Sequence, residues 1–177
     1  MINNKKIPLL GVAAYSGTGK TTLLKQLIPY LRQRGIRTGL IKHTHHDVDV
    51  DTPGKDSFEL RKAGADQTMI ASNSRWALMT ETPGQDELSL EYLATRFDSN
   101  NLDMILVEGF KHEEIDKIVL YRKETGKLLE SLIDNHVVAV ACDGLFDPVK
   151  PAINLLNINE VDNVGEFVIQ WLKNQQN

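Results

Sequence analysis

With 177 residues, 41% apolar and 25% charged, the chain is long enough for one α/β domain with a buried core and little more. A formal net charge of −4 without a long basic block argues against a nucleic-acid surface. No apolar run nears the roughly 20 residues of a membrane span, and the short apolar run after polar residues 1–6 is too brief for a signal-peptide core. The single cysteine, Cys142, excludes an internal disulfide framework and fits a reducing cytoplasm, which is the expected location.

Residues 7–14, "IPLLGVAA", are short, apolar and bounded by turn residues, and predict a buried strand. Residues 20–34 predict a helix with Leu23, Leu24, Leu27, Ile28 and Leu31 on one stripe, and Gly35 as its stop. Pro29 inside it removes a backbone bond and predicts a bend. Between strand and helix lie Ala14, Tyr15, Ser16, Gly17, Thr18, Gly19, Lys20, Thr21 and Thr22. A strand, a glycine loop, Lys-Thr and a helix together make the context of a phosphate-binding loop. Gly17 and Gly19 can take backbone angles closed to other residues and leave room for a phosphate. Successive amides then form an anion nest, and the helix start adds partial positive charge. Lys20 adds a full charge, and Thr21 is placed to offer its hydroxyl to magnesium. Ala14 stands where G-x-x-x-x-G-K-[ST] has its first glycine. Alanine resists positive φ, so that position is expected to be extended. The alternative is a plain turn between strand and helix.

Residues 36–42 predict a second strand. The polar loop after it holds His43, His45 and His46, then Asp47, Asp49, Asp51 and Asp56. In a parallel sheet this loop emerges on the edge of the phosphate loop, where open α/β sheets bind ligands. Three readings stay open. One is a switch sensing a γ-phosphate and magnesium, with Asp56 as its acid. Another is a transition-metal site built on imidazoles. The third is a solvated polar loop. Lys42 is a further candidate for a phosphate contact, and no cysteine pair supports structural zinc.

Residues 57–63 predict a short helix. "DQTMIAS" and "RWALMTE", joined at Asn73-Ser74, predict a hairpin over 66–81 whose edge needs covering. Residues 86–98 predict a helix. "LDMILVEGF", 102–110, predicts a buried strand with two acids. If it runs parallel to the first strand, its C-terminal end lies beside the phosphate loop, and Asp103 falls ~16 Å behind Glu108. Glu108 is then the metal-side acid, with Gly109 allowing close approach; the alternative is a surface glutamate. Residues 116–122 and 136–143 predict two more strands, and irregular 123–135 a flap. Asp143 is either a reader of the guanine N1 and N2 hydrogens or a turn aspartate before Gly144. The Asn-Lys-x-Asp guanine reader is absent, so spacing leaves the base open. Residues 160–173 predict a closing helix with Val161, Val164, Phe167, Val168, Trp171 and Leu172 on one face. Trp76 and Trp171 are expected in the core or an interface.

The alternation predicts an α/β P-loop NTPase: a mainly parallel sheet flanked by helices, with an added β-hairpin, as a single nucleotide-binding domain over 1–177. Four stretches then carry a resemblance: "AAYSGTGKTTLLKQLIP", "GLIKHTHHDVDVDTPGKDSFELRKAGA", "RWALMTETP" and "DMILVEGFKHEEIDKIVLYR". Together they resemble the molybdopterin-guanine dinucleotide biosynthesis protein B (MobB) family. The phosphate loop alone is generic; "KHTHHD…GKDS" with "VEGFK" is far more specific, and close family members share Ala14. The resemblance implies a homodimeric GTP-binding accessory protein with weak GTPase activity and with GTP and Mg2+ as cofactors. It would assist the molybdopterin guanylyltransferase that attaches GMP, among other molybdenum-cofactor assembly proteins. It places Ala14 to Thr22 on the phosphates, Thr21 and Glu108 at magnesium, and Asp56 near the γ-phosphate. It also places Phe110 and Lys111 at the binding edge and the 66–81 hairpin at the dimer interface. The competing functions are a small-molecule kinase and a metal-delivery GTPase using His43, His45 and His46. Arg122 is the lone arginine of 122–135, which counts against a kinase lid. Nothing in the sequence ties Arg61, Arg75 or Arg122 to the site.

Overall fold

The computed structural model describes residues 6–44, 48–84, 88–110, 113–144 and 153–176. In chain order its elements are β1 (Leu9–Ala13), α1 (Lys20–Gln33), β2 (Thr38–Lys42), α2 (Asp56–Lys62), β3 (Gln67–Ala71) and β4 (Trp76–Thr80). There follow α3 (Leu90–Ala94), β5 (Met104–Glu108), β6 (Lys117–Tyr121), β7 (Val137–Cys142), β8 (Asn154–Asn157) and α4 (Val161–Gln175). Two short 3₁₀ turns, Lys123–Thr125 and Leu129–Leu132, fill the stretch expected to be a flap. The contacts divide the chain into two compact units, Met1–His43 with Leu90–Asn177, and Thr44–Ser89. No helix among the described residues is long and apolar enough to cross a membrane.

The first unit carries a six-stranded sheet in the order β2-β5-β1-β6-β7-β8, with every pairing parallel. Central parallel strands are covered on both faces, which is why their sequences are continuous apolar runs. Alternate residues still part company. Met104 and Leu106 of β5 join Ile118 and Leu120 of β6 in the core beneath α1 and α4. Ile105 and Val107 turn the other way, toward Ile7, Ile41 and Leu90. The stripe predicted for α1 is the one it buries, through Leu23, Leu24, Leu27 and Leu31. Each such leucine contributes about 1.5–3 kcal/mol. Pro29 sits on the exposed side of an unbroken α1, where water can take the carbonyl bond it cannot make. Gly35 ends the helix at φ 80°, with the Ile36 amide donating back to the Leu31 carbonyl at 3.1 Å. Trp171 is buried on α4 and its Nε1 donates to Asp116 at 2.7 Å, whereas Trp76 is 66% exposed.

Two elements differ from expectation. The helix expected over 86–98 is regular only over Leu90–Ala94; residues 85–87 lie outside the described set. Past its end the chain continues in turns to Phe97, whose ring fills the space above Gly39, where a Cβ would come within 2.9 Å of it. β8 is an addition to the expected strands, because "NLLN" is short and only Leu156 of it is buried.

In the second unit, β3 and β4 pair antiparallel, with Met69 opposite Leu78 and Ala71 opposite Trp76. The turn closes through the Ser72 amide and the Arg75 carbonyl at 2.8 Å. Arg61 of α2, 7% exposed, donates to Asp49 (2.7 Å), Asp51 (2.8 Å) and Glu81 (3.0 Å). Those carboxylates, Asp51 foremost, raise the Arg61 pKa further, and Arg61 holds Asp49 below the usual carboxylate range. Two aspartates of the polar loop are thus occupied in tying that loop to α2 and the residue after β4.

Candidate functional site

The phosphate loop leaves β1 at Ala13 and enters α1 at Lys20. Ala14 is 2% exposed, and no described residue other than glycine takes a positive φ, so alanine is accommodated where the motif has glycine. Gly17 and Gly19 do require glycine, at φ 84° and 94°. Thr18 is 2% exposed, and its hydroxyl donates to the Tyr15 carbonyl at 2.9 Å, closing the loop on itself. The first amide to find a helical acceptor is that of Leu23, which donates to Gly19 at 2.9 Å. Among the described residues, the amides of Gly19, Lys20, Thr21 and Thr22 donate to no protein acceptor. α1 has no capping side chain and no acidic residue in its first turn. The chain leaves this positive helix end for something else to neutralise.

β5 runs parallel to β1 with Glu108 beside Val12, and parallel to β2 with Glu108 beside Lys42. Its carboxylate therefore emerges at the loop's edge, where Oε1 lies 3.6 Å from Lys20 Nζ. The two side chains are only 12% and 19% exposed, so neither charge is well hydrated without the other. Asp103 is engaged at the opposite end of the strand by a bidentate pair with Arg37, at 2.9 and 3.1 Å. Gly109 follows at φ 100°, and a Cβ there would lie 2.7 Å from the His43 carbonyl oxygen. The His43 amide donates to the Glu108 carbonyl at 2.8 Å, and its ring lies 4.8 Å from that of Phe110. The ends of β2 and β5 are thereby pressed together behind the Lys20–Glu108 pair.

On the other side of β1, the carboxyl ends of β6 and β7 form a cavity of about 310 Å³ lined by Tyr121, Leu129, Cys142 and Asp143 among others. Tyr15 of the phosphate loop shares a hydrogen bond with Ser131, on the second 3₁₀ turn. Arg122, which follows β6, reaches both directions: Nε donates to the Thr18 carbonyl at 3.2 Å and Nη1 to Asp143 Oδ2 at 3.4 Å. A larger cavity, about 650 Å³, opens at the far edge of the sheet between Ile7, Leu90, Glu113 and Trp171.

The structure thus brings Lys20, Thr21 and Glu108 to one sheet edge with the loop, and Asp143 to the same edge two strands away. Thr21 and Thr22 are exposed on the first turn of α1. Asp56 opens α2 in the second unit. His45, His46 and Lys111 lie outside the described residues. Sequence alone names Arg122 without tying it to the loop, and it gives no sign of Asn159. The missing signal is strand order, since Arg122 and Thr18 meet only because β6 lies next to β1.

A model of the family described as molybdopterin guanine dinucleotide synthesis protein B matches residues 9–143. Over 176 residues the chain is 61% identical to the molybdopterin-guanine dinucleotide biosynthesis adapter protein of Escherichia coli K12, covering 99% of both chains. It is 48% identical over 169 residues to the adapter protein of the same name from Haemophilus influenzae, covering 96% of this chain and 92% of that one. It is similar to the crystal structure of molybdopterin-guanine biosynthesis protein B, with a TM-score of 0.75 at 27% identity over 93% of this chain and 99% of that one. The Bacillus subtilis MobB structure matches in fold, with a TM-score of 0.73 at 23% identity over 93% and 97%.

Proposed function

The chain belongs to the molybdopterin guanine dinucleotide synthesis protein B family, and from that premise we propose that it is a GTP-binding adapter in molybdenum-cofactor biosynthesis. One observation carries the reading: among the described residues, four amides at the start of α1 have no protein acceptor and stand beside a lysine paired with the nearby Glu108 carboxylate. The residues Ala14 to Thr22 would wrap the phosphates, with Lys20 turning from Glu108 to the terminal ones. Thr21 and Glu108 offer hard oxygen donors, which suit magnesium with its remaining positions filled by water and phosphate. The ion, when bound, offsets phosphate charge.

Asp143 is the proposed base reader. It follows β7, two strands from β1 and so about 10 Å across the sheet, a distance a ribose can bridge. A carboxylate accepts from the N1 and N2 hydrogens of guanine, whereas adenine presents an acceptor at N1. Weak hydrolysis follows because Arg122 is already committed to three acceptors and leaves the transition-state charge without an arginine from this unit. The same commitment counts against a kinase lid.

The test is a calorimetric titration with GTP and ATP, each with and without Mg2+. GTP is expected to bind at least about tenfold tighter than ATP, the scale of one charge-assisted hydrogen bond. Equal affinities would remove the base-specific part of the proposal.

The chain is further assigned to a cytoplasmic homodimer that assists the molybdopterin guanylyltransferase. Met69, Trp76 and Leu78 share one face of the β3–β4 hairpin and are 59%, 66% and 43% exposed. A two-stranded hairpin with an apolar face and open edges is marginal alone and calls for a partner. Sedimentation should give a dimer for the wild type and a monomer for Trp76→Asp. A wild-type monomer, or a Trp76→Asp dimer as tight as wild type, would exclude this interface.

A further inference from the structure

We propose that Arg122 is a positioning residue that joins the phosphate loop to the base-reading end of the sheet, so that base identity and phosphate affinity are linked through one guanidinium. The inference rests on the nucleotide reading above and adds to it the element that connects its two halves.

The placement follows from strand register. β6 lies between β1 and β7, with Val119 beside Ala13 and Tyr121 beside Cys142. Cys142 in turn pairs with Asn157 of β8. The next residue along β6, Arg122, therefore stands level with Asp143 and near the turn after β8. Its backbone is fixed there: the Arg122 carbonyl accepts from the Thr125 hydroxyl at 2.7 Å and the Thr125 amide at 3.1 Å.

Each arm of the side chain has an acceptor. Nε donates to the Thr18 carbonyl at 3.2 Å, Nη1 to Asp143 Oδ2 at 3.4 Å, and Nη2 to Asn159 Oδ1 at 2.7 Å. A guanidinium is planar and rigid, so three acceptors bound to it are fixed relative to one another. Lysine, a point charge on a flexible stem, cannot hold all three.

The bond to Thr18 has a specific consequence. The peptide from Thr18 to Gly19 is trans, as is every described peptide. In a trans peptide the carbonyl and the amide N–H point in opposite directions. Drawing the Thr18 oxygen to Arg122 turns the Gly19 N–H away from Arg122. That amide is one of the four without a protein acceptor. Gly19 at φ 94° has little to hold this orientation by itself, and a Cβ on it would be 3.9 Å from Arg122 Nε. The guanidinium therefore braces the loop from one side while the phosphate is bound from the other. At its far end the same group holds Asp143 through one lone pair of Oδ2, leaving Oδ1 and the other lone pair of Oδ2 to accept from the N1 and N2 hydrogens of guanine.

The experiment measures the affinities of GTP, ATP and inorganic tripolyphosphate, all with Mg2+, for the full-length wild type and for Arg122→Gln, Arg122→Lys and Asp143→Asn. Tripolyphosphate has no base and reports on the loop alone. Arg122→Gln should weaken tripolyphosphate and ATP by about tenfold and GTP by more, narrowing the GTP-to-ATP ratio. Arg122→Lys keeps the charge and should still narrow the ratio. Asp143→Asn should narrow the ratio and leave tripolyphosphate unchanged. Should Arg122→Gln fail to fold, Arg122→Lys carries the test. A uniform loss for all three ligands makes Arg122 a loop strut only and overturns the link. A changed ratio with tripolyphosphate unaffected overturns it as well. A wild type without GTP preference defeats the nucleotide reading itself; a wild type that has it, beside Arg122 variants that keep it, defeats this inference alone.

Discussion

Lys20→Ala is expected to weaken GTP binding by about a hundredfold, the loss of one to two charge-assisted hydrogen bonds at about 1.5–3 kcal/mol each. Two effects act in the same direction. The ammonium that would meet the terminal phosphates is gone. In addition, Glu108, with 12% of its side chain exposed, loses the cation 3.6 Å away that balances it. An unpaired carboxylate at the mouth of an anion site repels the incoming phosphates. The two contributions separate in a double-mutant cycle: Glu108→Gln in the Lys20→Ala background should recover part of the lost affinity for magnesium-free GTP. Calorimetry or displacement of a fluorescent nucleotide measures each corner. A Lys20→Ala protein that binds within about threefold of wild type would deny the lysine its phosphate role.

Gly109→Ala is expected to cost about 3 kcal/mol of stability and to impair the site as well. A non-glycine residue at φ 100° costs ~1–2 kcal/mol. The added methyl would also sit 2.7 Å from the His43 carbonyl oxygen, which is backbone and already anchored by the His43 amide on Glu108. Overpacking of this kind adds ~1–3 kcal/mol. At this chain length the sum corresponds to a fall of about 10 °C in melting temperature. Relief of the clash has to move either the end of β2 or the end of β5, so Glu108 shifts from Lys20 and the magnesium dependence of nucleotide binding should weaken in parallel. Thermal unfolding and a magnesium titration check the two limbs. A melting temperature unchanged from wild type would show that the strands part there without strain.

Local chemistry makes much of this molecule legible in its sequence. "IPLLGVAA" and "LDMILVEGF" are apolar because β1 and β5 are buried on both faces, and their last residues deliver the loop and Glu108. The glycines at 17 and 19 mark backbone conformations that other residues resist. Gly35 and the Asn73-Ser74 turn punctuate the chain where punctuation is expected. What the sequence does not reveal depends on contacts between distant residues. Strand order decides that Arg122 meets Thr18, 104 positions away. β8 is an edge strand with one buried residue, too little for an apolar pattern. Phe97, beyond the early end of α3, packs into the space above Gly39 of β2, a contact between distant residues. Lys117 shows the same limit: a charged residue inside an apolar run is 2% exposed, and Asp134 and the Glu113 carbonyl, at 2.8 and 2.9 Å, satisfy it. The stretch 47–56 offers four aspartates as candidate ligands, and two of them, Asp49 and Asp51, serve Arg61.

The most direct measurement is a crystal structure with a non-hydrolysable GTP analogue and magnesium. The expected result is phosphate oxygens on the amides at the start of α1, Lys20 Nζ moved from Glu108 onto them, and the guanine beside Asp143. An analogue lodged in the cavity between Ile7 and Trp171, with Lys20 still on Glu108, would contradict it.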